Sequence, residues 1–253
     1  MFNGDNWTFF NVSKDNRIDN DNFNVINALD IPNYEFLGKE WAESEVIYNV
    51  SKLDLFKDFD YLGIIHWDFN LYNKNYDTYR ITENINRILE KYDVISFFQS
   101  KLSSIIGYYN VMMDERKPNC LFCRESGLDN PVSCLEYVKR FLPNPNIDIS
   151  SINPRLIISL CCSFLCKRTN FIELGNMISR IKSDEYIKRF DTENRHRFPG
   201  QLIERLVALY LSGMFFDPFD FTLDHRFIGG NELKNNDING ENYWYENSFP
   251  YIC

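Results

Sequence analysis

The most informative pattern along the chain is a short apolar run, Tyr61–Ile65, bounded by polar residues on both sides. A run of this length predicts a buried β-strand, because it is too short for a helix. His66 and Asp68 follow it two positions apart, so on a continuing strand their side chains point to the same face. Ligands of open α/β sheets bind beyond the carboxyl ends of the strands, where a divalent metal holding a diphosphate would lie. A strand that reaches the surface also often ends in polar residues, so the pair alone leaves both interpretations open.

Similar runs and stripes predict the other regular elements, and their alternation indicates an α/β protein. Strands are predicted at 6–12, 94–98 and 163–166, and helices at 40–50, 83–91, 103–113, 132–142 and 170–182. The Asp- and Asn-rich stretch from Ser13 to Asn24 is predicted to be a loop. Glu43 and Glu45 lie off the apolar stripe of the helix at 40–50, which predicts a solvated face for both.

The stretch 194–206 predicts a further helix whose start carries candidate chemistry. Pro199 stands near that start, where its missing N–H costs nothing. A core-facing stripe follows at helical spacing, formed by Ile203, Leu206, Val207 and Tyr210.

Glu204 lies on the flank of this stripe, about one turn into the helix and near the positive end of the helix dipole. Positive charge is concentrated just before it at Arg195, His196 and Arg197. Arginine side chains and helix N-termini both suit phosphate oxygens. Glu204 therefore has two interpretations: a functional carboxylate beside a phosphate site, or an ion pair with a neighbouring arginine.

Composition and charge narrow the classes of function. The chain has 253 residues, of which 44% are hydrophobic, and this suits one large α/β domain with a sizeable core. The net charge of -9 makes nonspecific nucleic-acid binding and attachment to anionic membrane surfaces poor candidates. We expect no membrane span and no signal peptide.

The 7 cysteines predict free thiols more readily than a metal site. Cys120 and Cys123, with Cys134 further on, form only half of a structural zinc pattern. Three more cysteines lie in the apolar run 156–166, where free cysteine behaves as a small hydrophobe. Unpaired thiols indicate a reducing compartment, so we expect a cytoplasmic location, in the host cytoplasm if the chain is viral.

The domain organisation predicted is one unit over residues 1–253, because neither an internal repeat nor a low-complexity linker occurs. Residues 114–150 form a candidate helical insert, which suits either an acceptor-facing lid or a packed structural arm. Residues 213–253 are predicted to form a loop-rich C-terminal tail that contains several aromatic residues.

Two of these stretches together resemble a known family. Tyr61–Asp68 (YLGIIHWD), preceded by a Glu-containing helix, is similar to the "YxGxxHY" block of capsular-polysaccharide-type glycosyltransferases, which occur in bacteria and have relatives in large DNA viruses. Arg197–Leu206 is similar to the family's "R-x-x-G-x-x-x-E-R-L" block, and Phe164–Phe171 to an "FL-x-K-x-x-x-F" segment between the two. The resemblance spans residues 25–212.

The resemblance implies a GT-A type fold, in which a Rossmann-like mixed sheet flanked by helices binds a nucleotide sugar. It implies an enzyme of polysaccharide biosynthesis that transfers a sugar from a UDP- or GDP-sugar to a glycan acceptor, usually with Mn²⁺ or Mg²⁺. The family's metal is normally held by an Asp-x-Asp motif, and here His66-Trp67-Asp68 stands in that place. Asp68 is then the expected metal ligand, and His225 is either a further ligand or a surface histidine.

The resemblance also implies roles for the second block. Glu204 would be the general base for the acceptor hydroxyl, which implies an inverting enzyme. The candidate donor- and phosphate-binding residues are His66, Arg197 and Arg205. Two other classes remain open: a metal-dependent hydrolase using His66, Asp68 and His225, and a non-catalytic sugar- or protein-binding module.

Overall fold

The residues that the structure describes form eight strands, three α-helices of nine residues or more, one 3-10 helix and shorter helical stretches. The computed structural model describes residues 8–19, 24–64, 94–96, 99–101, 137–143, 145–146, 157–159, 162–185, 187–188, 198–211 and 227–228. The strands are β1 (Thr8–Asn11), β2 (Asn24–Asn27), β3 (Tyr61–Ile64), β4 (Val94–Ser96), β5 (Gln99–Lys101), β6 (Ile157–Ser159), β7 (Phe164–Lys167) and β8 (Phe227–Ile228). The helices are the 3-10 helix Ala28–Asp30, then α1 (Ser44–Lys52), α2 (Arg168–Ser183) and α3 (Phe198–Leu209).

The largest sheet is mixed and has the strand order β3-β7-β4-β8. β7 pairs antiparallel with both β3 and β4, and β8 pairs parallel with β4. β5 pairs antiparallel with β6 in a second, two-stranded sheet. The fold is therefore of the mixed α/β kind.

The core lies between α1, α2 and the sheet. A Cβ added at Gly175 of α2 would lie only 2.1 Å from the Ser51 side chain of α1, so the two helices touch at a point that only glycine allows. The Ser51 hydroxyl donates a hydrogen bond to the Phe171 carbonyl at 3.2 Å. Around this contact the buried residues are Ile47, Val50, Leu174, Met177, Ile178 and Ile181.

β1 and β2 form a separate parallel pair that the sequence pattern does not predict in full. Two buried side-chain amides connect the strands: Asn11 Nδ2 of β1 donates a hydrogen bond to Asn27 Oδ1 of β2 at 2.8 Å. Phe9 of β1 and Leu29 of the 3-10 helix that follows β2 are exposed. β2 begins at Asn24, where the predicted loop ends.

Most predicted elements that fall on described residues are confirmed with shifted ends. The strand at 61–65 is β3, the strand at 163–166 is β7, and the helix at 170–182 is α2. The helix predicted at 40–50 is wrong at its start, because α1 begins at Ser44. Residues 40–43 instead belong to a turn in which Ala42 has a φ of 47°, outside the helical region.

The remaining predictions fall mainly outside the described residues. These are the helices at 83–91 and 103–113, most of the insert at 114–150 and most of the tail at 213–253. Within the insert, residues 137–139 are helical, and within the tail β8 is a strand. No helix in the described part of the chain combines the length and apolar character needed to cross a membrane.

Candidate functional site

The carboxyl ends of β3 and β4 meet at one edge of the sheet. Ile64, the last residue of β3, pairs with Phe164 of β7, and Ser96, the last residue of β4, pairs with Phe164 as well. β3 and β4 therefore run in the same direction, with β7 between them in the opposite direction. We call this the carboxyl edge; it is the kind of edge at which open α/β sheets bind ligands.

β3 approaches β7 too closely for any side chain at its third position. A Cβ added at Gly63 would lie 2.3 Å from the Phe164 carbonyl oxygen and 2.8 Å from the Leu165 Cα. Both atoms are backbone and belong to the paired strand, so neither can move away cheaply. The close approach of β7 thus explains why Gly63 of the YLGIIHWD stretch is a glycine, independently of any role in binding.

Several predicted site residues lie outside the described residues. These are His66 and Asp68, which follow β3 in the sequence, together with Arg197 and His225. Arg205 lies in α3, but its side chain is also outside the described part.

The direction of β8 bears on the expected metal shell. Phe227 pairs with Val94 and Ile228 with Ile95, so β8 runs parallel to β4 and β3. His225 precedes the amino end of β8, whereas Asp68 follows the carboxyl end of β3. These two strand ends belong to opposite edges of the sheet, and His225 and Asp68 themselves lie outside the described residues.

α3 begins against the segment that precedes α1. The Gly200 amide donates a hydrogen bond to the Glu40 carbonyl at 2.9 Å. A Cβ added at Gly200 would lie 3.0 Å from that oxygen, 3.2 Å from the Trp41 carbonyl oxygen and 3.3 Å from the Ala42 Cβ. The first N–H groups of a helix lack partners within it, and here a carbonyl from a distant part of the chain supplies one.

Contacts among the helices indicate which side of the sheet this junction occupies. α2 starts at the opposite edge, where the Arg168 amide donates to the Asp60 carbonyl at 2.8 Å. It then returns toward the carboxyl edge, since the Phe171 ring lies 6.1 Å from the Phe164 ring. α1 runs antiparallel to α2. Asp54, just after the end of α1, pairs with Arg168 at the start of α2, and Ile47, one turn before Ser51, faces Gly175, one turn after Phe171. The N-terminus of α1, and Gly200 with it, therefore points toward the carboxyl edge.

The other end of α3 is buried. Burial raises the pKa of the Tyr210 hydroxyl, and the proximity of Cys166 and Glu173 adds to the effect. α3 contacts β6 of the two-stranded sheet and α1.

Glu204 lies one turn beyond Gly200 on α3 and is half-buried. The predicted stripe is confirmed, since Ile203, Leu206, Val207 and Tyr210 are all buried. Residues four apart share a helix face, so Glu204 continues the face that Gly200 turns toward Glu40. Glu204 also takes part in an interaction within the protein, so its alternative interpretation as half of an ion pair remains open.

Sequence reasoning missed a buried carboxylate at Glu45. The prediction of a solvated face is wrong for this residue, which is only 4% exposed. Its Oε2 accepts hydrogen bonds from the Leu37 amide at 2.7 Å and the Gly38 amide at 2.9 Å, and its Oε1 accepts one from the Tyr34 hydroxyl at 3.1 Å. Burial raises the pKa of Tyr34, and the Glu45 charge adds to the effect.

The neighbouring Asn49 completes this polar cluster. It is fully buried; its Nδ2 donates to the carbonyls of Glu35 and Glu45, and its Oδ1 accepts from the Glu35 amide. The sequence offers one signal for this cluster: Glu45 and Asn49 are four residues apart and so share a helix face. That spacing alone does not distinguish a buried pair from a solvated pair.

A second polar cluster at Glu35 joins α1 to α2. Its carboxylate accepts hydrogen bonds from Lys182, from Lys52 at 2.7 Å and from the Tyr48 hydroxyl at 2.8 Å. The hydrogen bond from Lys182, followed by that from Lys52, lowers the pKa of Glu35 from 4.5 to about 2. Both ammonium groups also lie 5.3 Å from the centre of the Tyr48 ring. The two lysines and the Tyr48 hydroxyl satisfy the Glu35 carboxylate. This favours a structural role for Glu35, as a brace between α1 and α2.

The described part of the chain contains no group of three or more His, Cys, Asp or Glu side chains that could hold a metal ion. Cys162 and Cys166 are buried there, and burial raises the pKa of Cys166. Both observations agree with cysteines that serve as apolar core residues.

Comparison with known proteins adds no relative to this picture. No family model, curated protein or solved structure matches the chain.

Proposed function

We propose that the chain is a glycosyltransferase of GT-A type that moves a sugar from a nucleotide-sugar donor to the hydroxyl of a glycan acceptor. One observation carries the proposal: the start of α3 is hydrogen-bonded to the segment before α1, on the side of the sheet where β3 and β4 end. The two stretches that resemble the glycosyltransferase blocks therefore approach one side of the sheet. A mixed sheet with parallel strands ending at that edge suits a bound nucleotide.

The reaction follows from the chemistry of the residues at the start of α3. The bond between the anomeric carbon and the diphosphate oxygen breaks, and the leaving nucleoside diphosphate keeps the electron pair. The acceptor oxygen forms the new bond to the anomeric carbon and gives its proton to the Glu204 carboxylate. Base and leaving group then lie on opposite faces of the sugar carbon, so the product has inverted configuration.

Donor binding is assigned to the positive groups that flank the same helix start. Arg197 and Arg205, with His66 from the β3 end, would hold the diphosphate oxygens, because guanidinium groups pair with phosphate in a two-pronged geometry. The helix N-terminus adds a favourable field for the anion.

A divalent ion remains a separate expectation carried by the family resemblance. When bound, Mg²⁺ or Mn²⁺ neutralises the diphosphate leaving group. Asp68 is the expected ligand, and His225 is the candidate for a further one. The proton transfer assigned to Glu204 does not depend on that ion.

The experiment is a panel of UDP-, GDP- and dTDP-sugars with Mn²⁺, assayed for release of the nucleoside diphosphate. We expect the wild-type chain to turn over at least one donor and Glu204→Gln to lose about 10²- to 10⁴-fold in rate, because a general base contributes that much. Calorimetry should find the donor affinity of the variant unchanged. Glu185→Gln is the matched control, since that carboxylate, two residues beyond the end of α2, is 82% exposed.

Two results would overturn the proposal. Normal turnover in Glu204→Gln would remove that residue from catalysis. Absence of both turnover and donor binding in the wild type would favour a binding module, and activity on a phosphoester or peptide panel would favour a hydrolase.

A further inference from the structure

The buried carboxylate of Glu45 holds the backbone of the segment that precedes α1. It lies in the first turn of α1, near the positive end of that helix dipole, and it accepts two backbone amides and one hydroxyl. Hydrogen bonds to an ionised acceptor are stronger than those between neutral groups. The carboxylate therefore fixes the backbone at Leu37 and Gly38.

That backbone leads directly into the turn on which α3 rests. Gly38 has a φ of 105°, which side-chain-bearing residues rarely adopt, and its carbonyl accepts the Trp41 amide at 3.1 Å. The Glu40 carbonyl inside this turn accepts the Gly200 amide at 2.9 Å. Trp41 is 1% exposed, so the turn is held in the core.

The contact at the end of this path is close. The Gly200 Cα faces the carbonyls of Glu40 and Trp41 at a separation that would leave an added Cβ 3.0 and 3.2 Å away. A shift of the turn must therefore move the first turn of α3, and Glu204 lies one turn further along. Displacements of about 1 Å at a reacting group can lower a rate about 100-fold.

We propose that Glu45 is a positioning residue that sets the start of α3, and with it the Glu204 carboxylate, through the Gly38–Ala42 turn. The connection to catalysis rests on the proposed function. The mechanical connection from Glu45 to Gly200 does not, and the two are tested separately.

Hydrogen exchange at the residue-200 amide measures the mechanical connection. This amide has no partner within its own helix, so its protection reports the bond to the Glu40 carbonyl. Glu45→Gln keeps the shape of the side chain but removes its charge, which weakens the hydrogen bonds from the Leu37 and Gly38 amides. We expect exchange at Gly200 to become about tenfold faster, the size of one lost hydrogen bond, with protection at Leu174–Ile178 of α2 unchanged.

Glu35→Gln is the matched control, because this carboxylate belongs to the same segment but bonds Lys52, Lys182 and Tyr48 instead. We expect it to leave the Gly200 amide protected. Gly200→Ala perturbs the same contact from the α3 side, so it should speed exchange at residue 200 even if Glu45→Gln does not fold. Unchanged exchange at residue 200 in the folded variants would overturn the positioning role.

Kinetics then tests the connection to catalysis. Glu45→Gln should lower kcat about tenfold while the donor KM stays within about threefold, and Glu45→Asp should recover part of kcat, because misplacing a base costs rate rather than binding. Faster exchange at Gly200 in a chain with no transferase activity would reject the proposed function and keep the positioning role. Faster exchange with unchanged kcat would reject the link between Glu45 and Glu204.

Discussion

α1 meets its two partner helices in different ways, and in both cases a glycine marks the meeting point. At Gly175 of α2 an added Cβ would lie 2.1 Å from Ser51, inside the packed core. At Gly200 of α3 the nearest atom would be 3.0 Å away, and the contact is one backbone hydrogen bond to Glu40. The first interface is closed by side-chain packing, and the second by a helix-end cap.

The difference separates a rigid support from an adjustable attachment. The α1–α2 interface adds the Glu35 brace to its buried apolar residues, and it carries no residue with a proposed chemical role. Glu204 lies one turn beyond the α1–α3 junction, which depends on a turn that the buried Glu45 carboxylate helps to hold. In a transferase site built on this arrangement, the position of the Glu204 carboxylate would depend on the smaller contact, the one between Gly200 and Glu40.

The largest expected effect is that of Gly175→Ala. The new methyl group cannot fit beside Ser51, so we expect a loss of about 2 to 3 kcal/mol from the free energy of unfolding, as overpacking costs that much in cores. Urea unfolding followed by circular dichroism measures it. Gly200→Ala is the paired variant and should change stability by less than about 1 kcal/mol, because alanine's higher helix propensity offsets the tight contact. Equal losses in the two variants would erase the contrast between the interfaces.

A smaller effect is expected from the Glu35 brace, and it depends on pH. The folded pKa of about 2 lies below the ordinary 4.5, so the stabilisation by Glu35 is fully present above 4.5 and is lost as the pH falls toward 2. The stability difference between wild type and Glu35→Gln should stay constant from pH 7 to 5 and shrink below 4.5. Since these side chains are partly exposed, the difference should not exceed about 1 kcal/mol. A difference that grows on acidification would contradict the assignment.

The smallest effect is expected at the far end of the α1–α2 interface. Asp54 is 63% exposed and forms an ion pair with Arg168 at the start of α2. Asp54→Asn tolerates the positive φ of 52° at this position and removes only the charge. We expect a loss of about 0.5 kcal/mol or less that disappears in high salt. A loss as large as that of Gly175→Ala would show that charge, rather than packing, closes this interface.

The elements that could be predicted from the sequence are those with a strong local pattern. β3 followed from an unbroken apolar run, and α3 from a stripe in which Ile203, Leu206, Val207 and Tyr210 are all buried. β2 was missed because its pairing with β1 depends on buried Asn11 and Asn27, a residue type that usually indicates turns.

The features that escaped prediction depend on contacts distant in the sequence or on burial. Glu45 looks like a surface residue by periodicity, and only the folding of residues 34–38 over α1 makes it an internal acceptor. The bond from Gly200 to Glu40 joins parts of the chain that no local pattern connects. The reason for Gly63, a backbone approach by β7, is likewise visible only with the sheet register in hand.

The central claim is that the carboxyl end of β3 and the start of α3 border one donor site. Amide NMR spectra with Mn²⁺ and a UDP- or GDP-sugar test it directly, because Mn²⁺ broadens the signals of nearby nuclei. We predict broadening at residues 198–204 when metal and donor are both present, little at residues 168–171 on the opposite edge, and none of it in Asp68→Ala. Donor-dependent broadening at 168–171 with 198–204 unaffected would contradict the claim.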